Sequence, residues 1–228
     1  MRDFTLDGRL SSAAKFVRQG ARFADIGTDH AYLPLSLLSE GRIEYAVCSD
    51  INRGPLESAR ANAEALGLSD KVSFHLTDGA LGLEDEGITD VAIAGMGGEL
   101  ILDIVSRAHF FKDKDIRLIL QPMSRVGILR TGLYQLGFEI EDEEYSESAG
   151  KYYVTLCVHY SGEVKKLTPL EAEFGKGEQL QTLTDEARGY LNSRRAALVR
   201  EIRGKKMGGE PTEDADALLT YLNDLLGG

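Results

Sequence analysis

The residues of this chain best suited to chemistry begin in the stretch ADIGTDHAYLP, 24–34. A short apolar run stops at Gly27 and gives way to Thr28, Asp29, His30, Ala31 and Tyr32. A loop that cradles a pyrophosphate repeats its glycines as G-x-G-x-x-G, because backbone N–H groups must come close to the phosphates. Here Asp29 stands where the second glycine would be, and a carboxylate there repels phosphate and attracts a cation. More acids follow, Asp50 with Ile51 in SDINRGP and Asp78 with Gly79 in TDGA. A glycine-rich turn, Gly95-Met96-Gly97-Gly98, and the run Gln121-Pro122-Met123 complete the set. No G-x-S-x-G nucleophile turn is present. His75, His109 and His159 lack metal-ligand spacing, so no metal is expected.

The elements that must position these residues follow from apolar periodicity. Strands are expected at 22–27, 44–50, 71–76, 89–95 and 115–121. Helices are expected at 8–19, 32–40, 53–66, 98–108 and 124–136. Two consecutive strands, FEIEDEEYSE and KYYVTLCVHYS, meet through the turn SAGK and must pair antiparallel. This alternation predicts an α/β fold with a doubly wound, mostly parallel seven-stranded sheet whose last strand is antiparallel. Each candidate group follows a strand, and open α/β sheets bind ligands at the carboxyl ends of their strands. After about residue 162 the pattern changes. Leu180, Leu183, Ala187, Tyr190, Leu191, Leu198 and Ile202, then Ala215, Leu218, Leu219, Leu222, Leu225 and Leu226, recur at helical spacing on either side of KKMGGEPTED. The expected organisation is therefore a catalytic domain over 1–162 and a helical hairpin over 163–228.

A cationic, phosphate-free ligand suits acids at strand ends. S-adenosylmethionine is such a molecule, with a sulfonium and an α-ammonium offset by one carboxylate. Asp29 can take the ammonium, N–H groups opening the next helix can take the carboxylate, and Asp50 can accept from a ribose diol. Asp78 stands at the level of an adenine amine. His30 either orients the cofactor carboxylate or caps the helix. Tyr32 is a stacking surface or a packing residue, and Gln121 a hydrogen-bond partner or a strand terminus.

Taken together, ADIGTDHAYLP, AGMGGELI and LILQPMSR, with the leading RLSSAAKFV, GKYY and the terminal hairpin, resemble the bacterial tRNA (adenine-22-N1)-methyltransferase family. The resemblance implies a Rossmann-like class I methyltransferase domain followed by a coiled-coil-like helical extension. It implies S-adenosylmethionine as cofactor and tRNA as partner. It implies cofactor contacts at Gly27, Asp29, His30, Asp50, Asp78 and Gly79, with neighbouring Thr28, Ala31 and Ile51, and a catalytic surface at Gly95–Gly98 bordering cofactor and target base, with Tyr32 and Gln121 beside it. Methyltransferases of exocyclic amines commonly carry Asn/Asp-Pro-Pro-Tyr/Phe after strand four. Gly95-Met96-Gly97-Gly98 argues against plain N6 chemistry and suits N1. N1 of neutral adenine carries an in-plane lone pair and no proton, so positioning and charge complementarity, not a strong base, should drive the reaction.

The formal net charge of −11 opposes unspecific binding of nucleic acid. A tRNA would need a locally basic face, for which Lys15, Arg18, Arg125, Arg130, Arg194, Arg195, Arg200 and Arg203 are the candidates. Two cysteines, both in apolar runs, exclude a disulfide framework and suit the cytosol. No signal-peptide pattern and no run of ~20 apolar residues is seen, so no membrane is expected. The sequence leaves the oligomeric state open and is compatible with a monomer. Two alternatives remain open to the sequence: a class I methyltransferase acting on another RNA, a protein or a small molecule, and a non-catalytic module that uses the hairpin to hold a partner.

Overall fold

The computed structural model describes residues 5–175 and 183–227. The chain opens with α1 (Gly8–Phe16) and then alternates through β1 (Ala21–Ile26), α2 (Tyr32–Ser39), β2 (Ile43–Asp50), α3 (Arg53–Ala65), β3 (Val72–Leu76), β4 (Asp90–Gly97), α4 (Gly98–Arg107), β5 (Arg117–Ser124) and α5 (Val126–Gln135). The long strands β6 (Phe138–Ser148) and β7 (Lys151–Tyr160) close the sheet. Its order is β3-β2-β1-β4-β5-β7-β6, parallel from β3 to β5, with β7 antiparallel to both neighbours. This is the expected doubly wound sheet. The strand order reverses between β1 and β4, which sets a crevice at their carboxyl ends.

The central strands are apolar on both faces because helices cover both. Val91, Ala92 and Ile93 of β4, and Leu118, Ile119 and Leu120 of β5, are fully buried. One apolar cluster joins Phe23, Ala92 and Ile119 to Ala13, Leu35 and Ala59 under α1–α3. The other joins Val91, Ile93 and Leu118 to Ile101 and Leu129, and continues into the C-terminal helices.

Those helices are α6 (Pro169–Phe174), α7 (Asp185–Gly208) and α8 (Glu213–Leu226). The hairpin of α7 and α8 was expected, and Leu191, Leu198, Ile202, Ala215 and Leu222 are among its buried residues. Leu180 lies outside the described residues. α7 runs through Lys205, Lys206 and Met207, and stops where Gly209 adopts φ +69°. The break therefore comes later than KKMGG suggests, and α1 ends three residues earlier than its pattern suggests. The pattern of stripes misses α6, although Thr168 and Glu171 form a capping box with Pro169 at its first position.

Arg130 corrects a further expectation. Proposed as a phosphate contact, it is fully buried. Its Nε and Nη2 donate to Glu143 Oε1 and Oε2 at 2.8 and 2.6 Å, and its Nη1 donates to the carbonyls of Ala172 and Glu173 at 3.1 and 2.7 Å. A buried guanidinium needs a buried carboxylate and free carbonyls, and the C-terminal end of α6 provides the carbonyls. Arg130 clasps α5, β6 and α6; it does not meet solvent.

Candidate functional site

The turn after β1 is built to bring carboxylates and bare backbone together. Gly27 takes φ +75°, and its N–H and that of Thr28 both donate to the Ser49 carbonyl at the end of β2, at 2.8 and 2.9 Å. His30 and Ala31 follow at φ +65° and +56°, a left-handed pair that few non-glycine residues adopt. The Asn62 side chain donates to the His30 carbonyl at 3.0 Å and fixes that strained backbone. The His30 and Tyr32 rings stack with centroids 5.2 Å apart, and His30 Nε2 lies 3.2 Å from Asp29 Oδ1.

A residue that spacing alone does not single out lies beneath this turn. Asp25 is 8 % exposed and accepts from the Thr28 hydroxyl through Oδ2. Burial pushes its carboxyl up to about 6, against the Thr28 hydrogen bond and helped by the charge of Asp50. The signal was present as an acid two places before the glycine in ADIG, at the end of an apolar strand.

Asp50 ends β2, and its Oδ1 accepts from Asn52 N–H at 2.6 Å. Ile51 is exposed beside it. Asp78 and Gly79 (φ +63°) follow β3. Both oxygens of Asp78 are held by Arg107 of α4, at 2.8 and 3.1 Å, which lowers its pKa. These bonds leave acceptor capacity on each oxygen.

Across the crevice the β4 turn runs through Ala94 and Gly95 (φ +78°) to Gly97 and Gly98, where α4 begins. Gln121 is fully buried under it. Its Oε1 accepts from Gly95 N–H at 3.1 Å and its Nε2 donates to the Pro122 carbonyl at 3.1 Å. Gln121 therefore shapes the turn from below and does not reach a ligand. Met96 leans against Gly27, since a Cβ there would meet its methyl at 1.9 Å. The two turns enclose a cavity of about 520 Å³ lined by Asp25, Gly27, Asp29, Tyr32, Gly95 and Met96. Its far wall is the N-terminal turn of α1, with Asp7 and Arg9.

The basic candidates do not form one stripe. Arg18 donates to Asp90 Oδ2 at 3.0 Å and to the carbonyls of Thr89 and Asp115, at the amino ends of the strands and away from the crevice. Lys15 pairs with Glu144. Arg194 pairs with Glu173 across α6 and α7. Arg125 (φ +58°) is exposed at the start of α5. Arg125 and Arg194 line a groove of about 790 Å³ between the β5 turn, Tyr152, Tyr153 and the C-terminal helices. Arg195 and Arg200 border a different groove, between α7 and α8, and Arg203 is exposed farther along α7. Among the described residues, no group of three or more His, Cys, Asp or Glu could hold a metal. No helix there is long and apolar enough to cross a membrane.

The crevice can hold a positively charged ligand against carboxylates on one side while glycine backbone meets a flat partner on the other. Comparison with known proteins gives this geometry a family. A family model described as a methyltransferase domain matches residues 6–156. A tRNA (adenine(22)-N(1))-methyltransferase of Bacillus subtilis is 36 % identical over 156 residues, which is 68 % of this chain and 66 % of that one. A Streptococcus pneumoniae protein described as a candidate tRNA (m1A22) methyltransferase has been solved with S-adenosyl-L-methionine. It is 32 % identical with a TM-score of 0.80, covering 96 % of this chain and 98 % of that one. A Mycoplasma capricolum relative solved with S-adenosyl-homocysteine is 25 % identical with a TM-score of 0.80, covering 97 % and 98 %.

Proposed function

Because this chain belongs to the tRNA (adenine(22)-N(1))-methyltransferase family, we propose that it methylates N1 of adenine 22 in tRNA with S-adenosylmethionine as methyl donor. The observation that carries the reading is the cavity in which the carboxylates of Asp25 and Asp29 face the Gly95 turn. When bound, S-adenosylmethionine supplies an electrophilic methyl on a sulfonium, and the positive charge passes to the base as the C–S bond breaks and the N1–C bond forms.

The chain's own residues suit that movement of charge. Asp29 takes the α-ammonium, Asp50 the ribose hydroxyls and Asp78 the adenine amine of the cofactor, each by a charge-assisted hydrogen bond. Thr28, His30, Ala31, Ile51 and Gly79 supply backbone and packing around them. Asp25, ionised above about pH 6, keeps the site negative both before and after transfer, which favours a cation on either partner. Gly95, Gly97 and Gly98 lack Cβ atoms, so the β4 turn can meet the target base closely. Met96 supplies an apolar wall, and Tyr32 a ring face. No side chain needs to remove a proton before N1 attacks.

The same reading takes residues 1–162 as the catalytic unit and 163–228 as a helical arm, with Arg125 and the exposed arginines of α7 as phosphate contacts. It sets the enzyme in the cytoplasm with its tRNA. The test is methyl transfer from labelled S-adenosylmethionine to two unmodified transcripts, one with adenine and one with guanine at position 22. N1-methyladenosine from the adenine transcript alone is the expected product. Cofactor binding without transfer to either transcript would refute the assigned target.

A further inference from the structure

The wall of the cavity formed by α1 has no role in the chemistry described so far. α1 packs against β5, β6 and β7, and its first turn faces the Gly95 turn across the cavity that Asp25 and Asp29 also line. Arg9 Nη1 lies 3.6 Å from Met123 Sδ at the end of β5, and a Cβ on Gly95 would come within 3.8 Å of the same nitrogen. The guanidinium sits 5.7 Å from the Tyr153 ring centre. With the cofactor over β1–β3, a base to be methylated enters over β4 and β5, and so against Asp7 and Arg9.

The two oxygens of Asp7 are unequally engaged by the side chains and N–H groups around them. Its Oδ2 takes Arg9 Nε and Nη2 at 3.0 and 2.6 Å, and its Oδ1 takes Leu10 N–H at 2.9 Å. The Arg9 backbone N–H also bears on the carboxylate, so a further donor would share Oδ1 with the Leu10 N–H. Partial burial works the other way, but the Leu10 N–H, the Arg9 guanidinium and the Arg9 N–H hold the Asp7 carboxyl below its ordinary value. At neutral pH it therefore accepts and cannot donate. Nearby, Asp25 is more than nine-tenths buried, lines the same cavity and, among the described residues, has only its Oδ2 engaged, by Thr28.

We propose that Asp7 selects adenine in the acceptor site, its Oδ1 accepting a hydrogen bond from the 6-amino group of the target base, with Arg9 as the positioning residue that holds the carboxylate. Adenine presents that donor next to the unprotonated N1. Guanine presents a carbonyl oxygen there and a protonated N1, so the same carboxylate repels it. The proposal rests on the methyltransferase reading and adds the residue that distinguishes the base.

Asp7 is also the N-cap of α1, so the test must separate the two roles. Asp7→Ser keeps a capping oxygen and removes the carboxylate. The substrates are two tRNAs that differ only at position 22, one with adenine and one with purine riboside, which lacks the amino group. The ratio of their kcat/KM values, taken for the wild type and the variant, cancels the lower intrinsic reactivity of purine. We expect D7S to lose about tenfold or more of the wild-type preference for adenine, with an unchanged melting temperature and unchanged S-adenosylmethionine affinity. Arg9→Gln should lower the preference too, and the double variant should lower it no further than D7S. A D7S enzyme that keeps the full preference, or that slows equally on both substrates, overturns the proposal. Wild-type enzyme that leaves the adenine tRNA unmethylated overturns the methyltransferase reading itself, before any variant is compared.

Discussion

Asp25 shows how one buried carboxyl ties stability to ligand binding. Its pKa of about 6 lies above the ordinary value of 3.8, so between those values the folded chain holds a proton that the unfolded chain has lost. Stability therefore falls as pH rises from about 4 to about 6, and the loss is complete above that window. Asp25→Asn removes the penalty, which is on the order of 2–3 kcal/mol. Thermal melting of the ligand-free protein should show D25N more stable than wild type at pH 7.5 and no more stable at pH 4. The same charge is what a sulfonium wants, so D25N should bind S-adenosylmethionine more weakly at pH 7.5. Wild-type affinity should fall as pH drops through about 6, which calorimetry at pH 5, 6 and 7.5 would read. Weakening alone, with no gain in stability, would mean that Asp25 is not strained by burial. The sequence carried Asp25 as an acid two residues before Gly27, but not its burial, which exists only once the Gly27 turn folds back onto Ser49.

At the scale of elements, the β4 and β5 turns run side by side and approach tightly at Gly98. A Cβ on Gly98 would sit 2.5 Å from the Arg125 carbonyl and 2.9 Å from that of Ser124, both backbone atoms that cannot swing away. Gly98→Ala should cost about 1–3 kcal/mol and displace the Gly95 turn, so that methyl transfer falls more than cofactor affinity does. A loss of both in equal measure would show that the strain spreads through the whole crevice. Strands such as VAIA and LILQ were legible because helices on both faces make them apolar throughout, and the acids after them were legible because such a sheet opens at its carboxyl ends. Arg130 was not, since a single sequence writes a buried guanidinium and an exposed one with the same letter. Its partner Glu143 lies on β6 and its carbonyl acceptors on α6, both remote in sequence. Gln121 was legible as a residue near the chemistry, but its inward aim was not. Breaking the clasp with Arg130→Met leaves the Glu143 charge buried alone and should cost about 3–5 kcal/mol in chemical denaturation. R130M/E143L should recover a substantial part of that loss, which a merely steric defect would not allow.

Over the whole molecule the problem is charge. A chain with a formal net charge of −11 has to meet a polyanion. Several of its cations are already committed. Arg18 is bound to Asp90, Lys15 to Glu144, Arg130 to Glu143 and Arg194 to Glu173. Arg195, Arg200 and Arg203 of α7 form no ion pair with a described residue, whereas the first turn of α8 carries Glu213, Asp214 and Asp216. The helical arm is thus polarised, with its free positive charge on α7. Salt dependence makes that polarity measurable, because each phosphate neutralised releases counterions. Replacing Arg195, Arg200 and Arg203 by glutamate should weaken tRNA binding and flatten the plot of log affinity against log salt by about one unit of slope for each phosphate no longer neutralised. Affinity for S-adenosylmethionine should stay unchanged, because none of the three lines the crevice. An unaltered salt slope would make α7 and α8 a structural brace and shift the phosphate-binding role to Arg125 and the groove beside Tyr152.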